Sequence, residues 1–277
     1  MALGFLAMRV MTWNLWWQFG PWEKRQPGIA AVVADTAPDI LCLQEVWGTE
    51  TDGVVSYQAR QLADELSDYN VAPLSLRFRE GRAFTNAIVS RWPIVDTFVV
   101  RLPTGDGSLS FRTAVFAEIE TPFGIQPVVT AHIAHKGQDD ADRLAQAVAL
   151  GDLIRDRRAD IPEALPALLA GDFNAEPEDP ELVALCGTPG DPDSASAPLL
   201  DAWVLSGQDD PGLTWSTENP YATKARWPNR RLDYVLVEQM DERPAMVKSA
   251  GLAGTEPIDG VVPSDHYAVW VDFDLSP

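Results

Sequence analysis

The chain has few cysteines, few histidines and little positive charge, and each shortage narrows what it can be. Its 277 residues include two cysteines. Cys42 sits inside the apolar run Ile40-Leu41-Cys42-Leu43, where a small buried thiol is the ordinary outcome, and Cys186 lies far from it. Neither a disulfide nor a thiolate metal site is expected. No stretch reaches the roughly 18 to 20 apolar residues that a membrane-spanning helix needs. The first ten residues are apolar but carry no basic leader region and no small-residue cleavage signal, so a cytoplasmic location is the expectation. Lys and Arg number 21 against 41 Asp and Glu, a formal net charge of -20. A surface of that sign repels long polyanions, which are gripped through a basic groove that releases counterions. Nucleic acid is thereby disfavoured as a partner. Two arginine groups still offer a local basic patch: Arg77, Arg79, Arg82 and Arg91, and Arg226, Arg230 and Arg231.

What is present is a folded-protein composition, 46% hydrophobic and 22% charged, able to fill a core. No repeat period appears, and the stretch from Gly187 to Pro198, rich in Asp, Pro, Ser and Gly, reads as an insertion within one domain spanning residues 1–277. Short apolar runs predict strands at Met8 to Trp13, Ile40 to Gln44, Ala87 to Ser90, Thr97 to Arg101, Thr113 to Ile119, Gln126 to His132, Ala167 to Ala170, Leu232 to Val237 and Ala268 to Phe273. Helical periodicity appears at Ile29 to Asp35, Gln58 to Ser67 and about Asp139 to Arg158. Mixed strands with helices at intervals predict sheets stacked in the middle and helices outside.

Six segments put polar groups at the ends of these apolar runs, where a rigid sheet can present them to a pocket. Asn14 follows Met11-Thr12-Trp13, Glu45 follows Leu41-Cys42-Leu43-Gln44, and His132 ends Val128-Val129-Thr130-Ala131. Asp172 and Asn174 follow Leu168-Leu169-Ala170-Gly171, Asp233 lies in Arg231-Leu232-Asp233-Tyr234-Val235, and Asp265-His266 precedes Tyr267-Ala268-Val269-Trp270. Any one of them alone reads as turn chemistry.

Together and in this order, Thr12-Trp13-Asn14-Leu15, Leu43-Gln44-Glu45-Val46, Asn86 to Arg91, Gly171-Asp172-Phe173-Asn174, Arg231-Leu232-Asp233-Tyr234 and Ser264-Asp265-His266 resemble the endonuclease/exonuclease/phosphatase superfamily. That resemblance implies a four-layer αββα sandwich, an α/β fold with its site at one edge of the paired sheets, and metal-dependent hydrolysis of a phosphate ester. It also implies that Glu45 with Asn14 binds the principal Mg²⁺, with Asp172, Asn174 and Asp265 close enough to bind it or complete a second site. All five are hard oxygen donors, which suit Mg²⁺, Mn²⁺ or Ca²⁺ better than zinc.

Hydrolysis needs a base for water, charge stabilisation on the phosphoryl oxygens and help for the leaving oxygen. His266, oriented by Asp233, is expected as the base, with Asp172 the competing candidate. His132 and Asn174 are expected to hydrogen-bond the phosphoryl oxygens, or His132 to protonate the leaving group. Arg112 matches an arginine that several relatives turn toward the scissile phosphate, a task that suits a guanidinium fork. His135 is expected in a solvated or supporting role, and Asn86 in a structural one.

The family shares this chemistry across DNA, RNA, lipid and inositol phosphate substrates, so substrate choice rests on loops. Trp16, Trp17, Trp22, Trp47, Trp215 and Trp227 lie close in sequence to the acidic motifs. They offer an aromatic wall for a base or for an apolar leaving group. With the acidic surface, this favours a small or mid-sized phosphodiester. The other readings are a DNA or RNA nuclease, expected to line its cleft with Arg77, Arg79 and Arg226 to Arg231, and a non-catalytic binding module. Filled metal and base positions weigh against the last. Nothing in the sequence bears on oligomeric state.

Overall fold

The computed structural model describes residues 7–72, 78–135, 140–187, 199–222, 227–240 and 246–274. In chain order the elements are β1 (Ala7–Asn14), α1 (Trp22–Thr36), β2 (Ile40–Thr51), β3 (Val54–Tyr57), α2 (Gln58–Leu66), β4 (Asn70–Val71), β5 (Arg82–Ser90), β6 (Ile94–Pro103), β7 (Leu109–Thr121), β8 (Gly124–His132), α3 (Asp140–Asp160), β9 (Leu168–Asp172), α4 (Pro180–Cys186), β10 (Leu199–Asp201), α5 (Ala202–Leu205), β11 (Asp233–Glu238), β12 (Val247–Ala253) and β13 (Ala268–Asp274). They build two mixed sheets. One runs β12-β13-β1-β2-β5-β4 with β3 paired to β2, and the other runs β10-β11-β9-β8-β7-β6. Within them β1 pairs parallel to β2 and β8 parallel to β9.

Two-residue alternation along each strand explains why the sheets stack. Met8 and Val10 of β1, Ile40 and Cys42 of β2, Val128 of β8, Leu168 and Ala170 of β9, and Val235 and Val237 of β11 share one buried cluster between the sheets. The intervening residues face outward. Met11, Trp13, Leu41 and Leu43 pack under Ile29 and Val33 of α1 and Leu62 of α2. Val129, Leu169 and Leu236 pack under Leu150 and Ile154 of α3 and Leu182 of α4. Helix, sheet, sheet and helix are therefore the four expected layers, each apolar face covered by the next.

The inward rows change character as they climb toward the ends of β1, β2, β8 and β9. Above the apolar cluster, the Gln44 amide donates to the hydroxyls of Thr12 at 3.1 Å and Thr130 at 2.8 Å, tying the two sheets together across the buried layer. One step further along the same rows come Asn14, His132 and Asp172, and β11 adds Asp233, which pairs in register with Asp172. His132 also pairs in register with Asp172. Gly171 makes that close pairing feasible, because a Cβ on it would lie 1.9 Å from the Ala131 carbonyl oxygen on β8.

Several elements exceed their sequence expectation. The helix expected from Ile29 begins at Trp22 and runs through Pro27. A proline inside a helix costs about 3 kcal/mol, but buried Arg25 anchors this first stretch by tertiary contacts. The strand expected to end at Gln44 continues to Thr51. The helix expected from Asp139 starts at Asp140 among the described residues. Asp139 lies outside the described residues, as do residues 188–198 of the expected insertion. No helix of the described residues is long and apolar enough to cross a membrane.

Gly171→Ala is expected to cost at least about 3 kcal/mol, or to abolish soluble expression, because backbone atoms of two strands must separate. Gly151→Ala in α3, whose new methyl would meet Leu185 at 3.9 Å, is expected to be neutral or to stabilise by about 0.5 to 1 kcal/mol. Thermal melts of the two variants check both.

Candidate active site

The predicted polar residues converge because strand ends of both sheets meet at one rim. Asn14, Glu45, His132, Asp172, Asn174, Asp265 and His266 line a single cavity of about 250 Å³, with His135 also on its wall. Glu45 arrives there by a route the strand pattern hides. The pairing of β2 with β5 slips between Leu43 and Val46, and Glu45 adopts the left-handed conformation with φ of 51°. This bulge turns a side chain that alternation would send to the helices back toward the cavity. Glu45 thus lies inside a long strand, at its irregularity, rather than beyond a strand end. Asn174 likewise has φ of 47°, in the turn that follows β9.

Asp172 is the hub. Its Oδ1 accepts the Asn174 backbone N–H at 2.9 Å and its Oδ2 the Asn14 amide at 3.0 Å. His132 Nε2 lies 3.4 Å and His266 Nε2 3.8 Å from Oδ2. His266 Nδ1 is 2.8 Å from Asp233 Oδ2, a buried pair. Thr214 Oγ1 accepts the Asp233 backbone N–H at 3.2 Å. The His266 carbonyl accepts the Trp13 indole N–H at 2.9 Å, and Ser264 donates to the Asn14 carbonyl at 2.6 Å. These last two bonds join the loop bearing Asp265 and His266 to β1.

Burial gives these charges unusual leverage. Burial first, then the neighbouring carboxylates Asp265 and Asp172, pushes Glu45 up to about 7. Burial, opposed by His266 and Arg25, raises Asp265 to about 6. His132 is pulled down to about 3 by burial and by Arg112. His266 moves the other way, well above the ordinary imidazole range, because Asp233 and Asp172 outweigh its burial. Glu45 Oε2 is buried without a hydrogen-bond partner. Against its burial, His132 and His266 hold Asp172 below the usual carboxylate range. Three buried carboxylates, two with raised pKa and one of these with an orphaned oxygen, thus form a donor set that fits a hard divalent cation.

Atoms of Asp172, Asp233 and His266 also lie within 4.8 Å of one another, an Asp/His arrangement compatible with a metal. Asp233, however, sits behind His266, off the cavity wall, and its Oδ2 is taken by the imidazole. The trio reads better as a hydrogen-bonded His266–Asp233 pair with Asp172 3.8 Å from Nε2, and Glu45, Asp172 and Asp265 are the carboxylates that face the cavity.

A family model, the endonuclease/exonuclease/phosphatase family, matches residues 11–266. The chain belongs to that family. Its members are metal-dependent phosphoesterases and nucleases, and the chain is an enzyme of that class. Solved structures agree in fold. TDP2 from C. elegans is 22% identical with a TM-score of 0.73, covering 97% of this chain and 75% of that one. TDP2 from D. rerio, complexed with a single-strand DNA product, is 18% identical with a TM-score of 0.72, covering 97% and 99%. The human Nocturnin catalytic domain with a bound sulfate anion is 20% identical with a TM-score of 0.70, covering 96% and 94%. No curated protein sequence matches the chain.

Around this family core, the other predicted residues divide. Arg112 lies beside His132 in a separate small recess with Phe84, Asn86 and Phe111. It is 9% exposed, and its Nε is buried without a partner. Asn86 donates to the Thr113 carbonyl at 2.7 Å, joining the two sheets. Among the tryptophans, Trp16, Trp215 and Trp227 line the cavity, and Trp215 meets the His266 ring edge-on at 5.1 Å. Trp22 and Trp47 pack on each other instead, and Trp17 donates to the Ala83 carbonyl. Of the described arginines in the two sequence groups, Arg230 lines the cavity. Arg231 pairs with Asp201 at 2.6 Å, while Arg77 and Arg226 lie outside the described residues. The loops after Asn14 and between Trp215 and Trp227, which the sequence marks as those that set specificity, also bring Phe19 to the cavity and Tyr221 beside Trp16. Sequence reasoning missed Arg25, which donates to the Phe19 carbonyl.

Asp233→Asn is expected to leave the fold intact by circular dichroism and to lower kcat by about 10²- to 10⁴-fold, because the amide no longer fixes the His266 tautomer. A kcat within twofold of wild type on the best substrate would remove Asp233 from the machinery.

Proposed function

We propose that the enzyme hydrolyses a small or mid-sized phosphodiester carrying an apolar group, with Mg²⁺ as its cofactor and Mn²⁺ or Ca²⁺ as alternatives on the same donors. The observation that carries this reading is one compact cavity in which buried carboxylates and the buried histidines His132 and His266 meet beneath Trp16, Trp215 and Trp227, with Arg230 as its arginine among the described residues. A groove for a long polyanion needs a row of such cations. The net charge of -20 points the same way.

Glu45 and Asn14 would hold the metal, with Asp172, Asn174 and Asp265 beside them. Bound there, it supplies Lewis-acid stabilisation of charge on the phosphoryl and leaving oxygens. In its neutral form, favoured once a cation on the neighbouring carboxylates offsets the pull of Asp172, His266 takes the proton of the attacking water at Nε2, which makes no hydrogen bond among the described residues, while Asp233 holds Nδ1. Asp172 suits this task less well because both its oxygens already accept hydrogen bonds, from Asn174 and Asn14. His132 and Asn174 orient the phosphoryl oxygens by hydrogen bonding, and Arg112 contributes charge from behind His132.

A nuclease acting on an unpaired strand is the second reading. It is favoured by the fold shared with the DNA-bound D. rerio TDP2 and by exposed Phe84 and Phe111 near the site, since bases stack on such rings.

Purified enzyme is assayed on an aryl phosphodiester, an aryl phosphomonoester and plasmid DNA, with Mg²⁺, with Mn²⁺ and with EDTA. Diester cleavage that stops in EDTA and in His266→Ala, with DNA intact, is the expected pattern. Rapid cleavage of a single-stranded oligonucleotide assayed beside the plasmid, or rapid plasmid nicking, would establish the nuclease instead. Glu45→Gln is expected to raise the half-saturating Mg²⁺ concentration at least about tenfold, read from the same assay.

A further inference from the structure

The chemistry assigned above leaves Arg25, a buried cation, unused. Arg25 is 1% exposed in the first turns of α1, and among the described residues no carboxylate forms an ion pair with it. Its guanidinium donates to main-chain carbonyls instead. Nη1 reaches Leu15 at 2.9 Å and Pro263 at 2.8 Å. Nη2 reaches Trp16 at 3.0 Å, Trp17 at 2.9 Å and Phe19 at 2.9 Å, and Nε reaches Phe19 at 3.2 Å. The rigid fork of a guanidinium is thus filled by two separate stretches of chain. One is the corner at residues 15–19, directly after Asn14. The other is Pro263, which opens the segment carrying Asp265 and His266.

That corner requires restraint. Trp16 and Trp17 hold successive positive φ angles of 57° and 36°, a conformation costing a bulky L-residue on the order of 1 to 3 kcal/mol each. The strained turn places the Trp16 indole between two hollows. On one side is the acidic cavity, and on the other an apolar hollow of about 470 Å³ lined by Trp16, Phe19, Gly20 and Tyr221. The ring is gripped from several directions: Arg25 Cζ stands 4.8 Å from its centroid and the Tyr221 ring 4.6 Å. Gly20 comes so close that a Cβ there would sit 2.6 Å from the indole. Arg25 stays charged, its pKa brought down to about 10 by burial against the pull of Asp265, Tyr221 and Glu45, so its field reaches two of the cavity's carboxylates.

We propose that Arg25 is a positioning residue that locks the strained Trp16–Trp17 corner to the Pro263–His266 segment, so that the aromatic wall selecting the substrate's apolar group and the carboxylates binding the cation act as one rigid unit. The substrate half of this proposal rests on the phosphodiesterase reading; the cation half does not.

The test compares full-length wild type, Arg25→Lys and Arg25→Ala, the last with and without millimolar guanidinium chloride. For Arg25→Ala, kcat/KM on an aryl diester is expected to fall about 100-fold, the scale of a small misplacement of reacting groups. On dimethyl phosphate the fall is expected to be clearly smaller. Mn²⁺ affinity by calorimetry is expected to weaken at least about tenfold, and guanidinium to restore both quantities in this variant alone. Arg25→Lys, with three donors for a wider ring of carbonyls, is expected to fold and to show the same losses in milder form. If Arg25→Ala does not fold, Arg25→Lys carries the comparison. A variant that only melts earlier, with wild-type substrate ratio and Mn²⁺ affinity, would reduce Arg25 to a structural residue and overturn the proposal. If wild type cleaves no diester but binds Mn²⁺, the phosphodiesterase reading fails, while the affinities of the variants still decide the role of Arg25. Wild type that does neither overturns both.

Discussion

The structure depends on what two-residue alternation does when two sheets face each other. A residue pointing into the space between the sheets is removed from water along the whole strand, so every second position of β1, β2, β8, β9 and β11 is committed to one buried layer. For most of their length those positions are apolar, from Met8 and Ile40 through Ala170 and Val237. Toward one rim the same rows become Thr12, Gln44 and Thr130, and then Asn14, His132, Asp172 and Asp233. The site is therefore a continuation of the core in different chemistry, held by the same sheet hydrogen bonds that hold the core. This accounts for its rigidity and for its dielectric.

The low dielectric produces the site's properties. Carboxylates brought into such a layer raise one another's pKa unless a positive partner compensates. Within the chain the compensation is incomplete: burial outweighs the pull of His266 on Glu45 and of His266 and Arg25 on Asp265. Glu45 and Asp265 are left with raised pKa values, which is the electrostatic signature of a place made for a cation. Four of the ten non-glycine residues with positive φ among the described residues lie at the same rim, Trp16, Trp17, Glu45 and Asn174. Trp16, Glu45 and Asn174 thus depart from regular geometry where a side chain lines the cavity.

Much of this was legible in the sequence because strand alternation and motif order are local signals. The apolar runs located the central strands, and Asn14, His132 and Asp172 follow from them by counting in twos. Glu45 shows where counting fails: its aim depends on a bulge, set by pairing with β5, a partner some forty residues away. Arg25 was missed because Pro27-Gly28 breaks the helical pattern, so α1 seemed to start beyond it. The tertiary cage that permits the earlier start leaves no trace in local propensity. The tryptophans could be placed near the acidic motifs but not sorted. Which of them face the cavity is decided by the strained corner at Trp16 and by the packing of Trp47 against Trp22, both contacts between distant segments or unusual backbone angles.

The claim that a buried, undercompensated acid cluster is built to hold a divalent cation is tested most directly by the thermal midpoint of the EDTA-treated protein as Mg²⁺ or Mn²⁺ is added. A ligand that binds only the folded chain stabilises it by about 4 kcal/mol at a thousand times its Kd. The midpoint is expected to climb with metal concentration in wild type and to respond much less in Asp265→Asn. A midpoint indifferent to every divalent ion tried would contradict it.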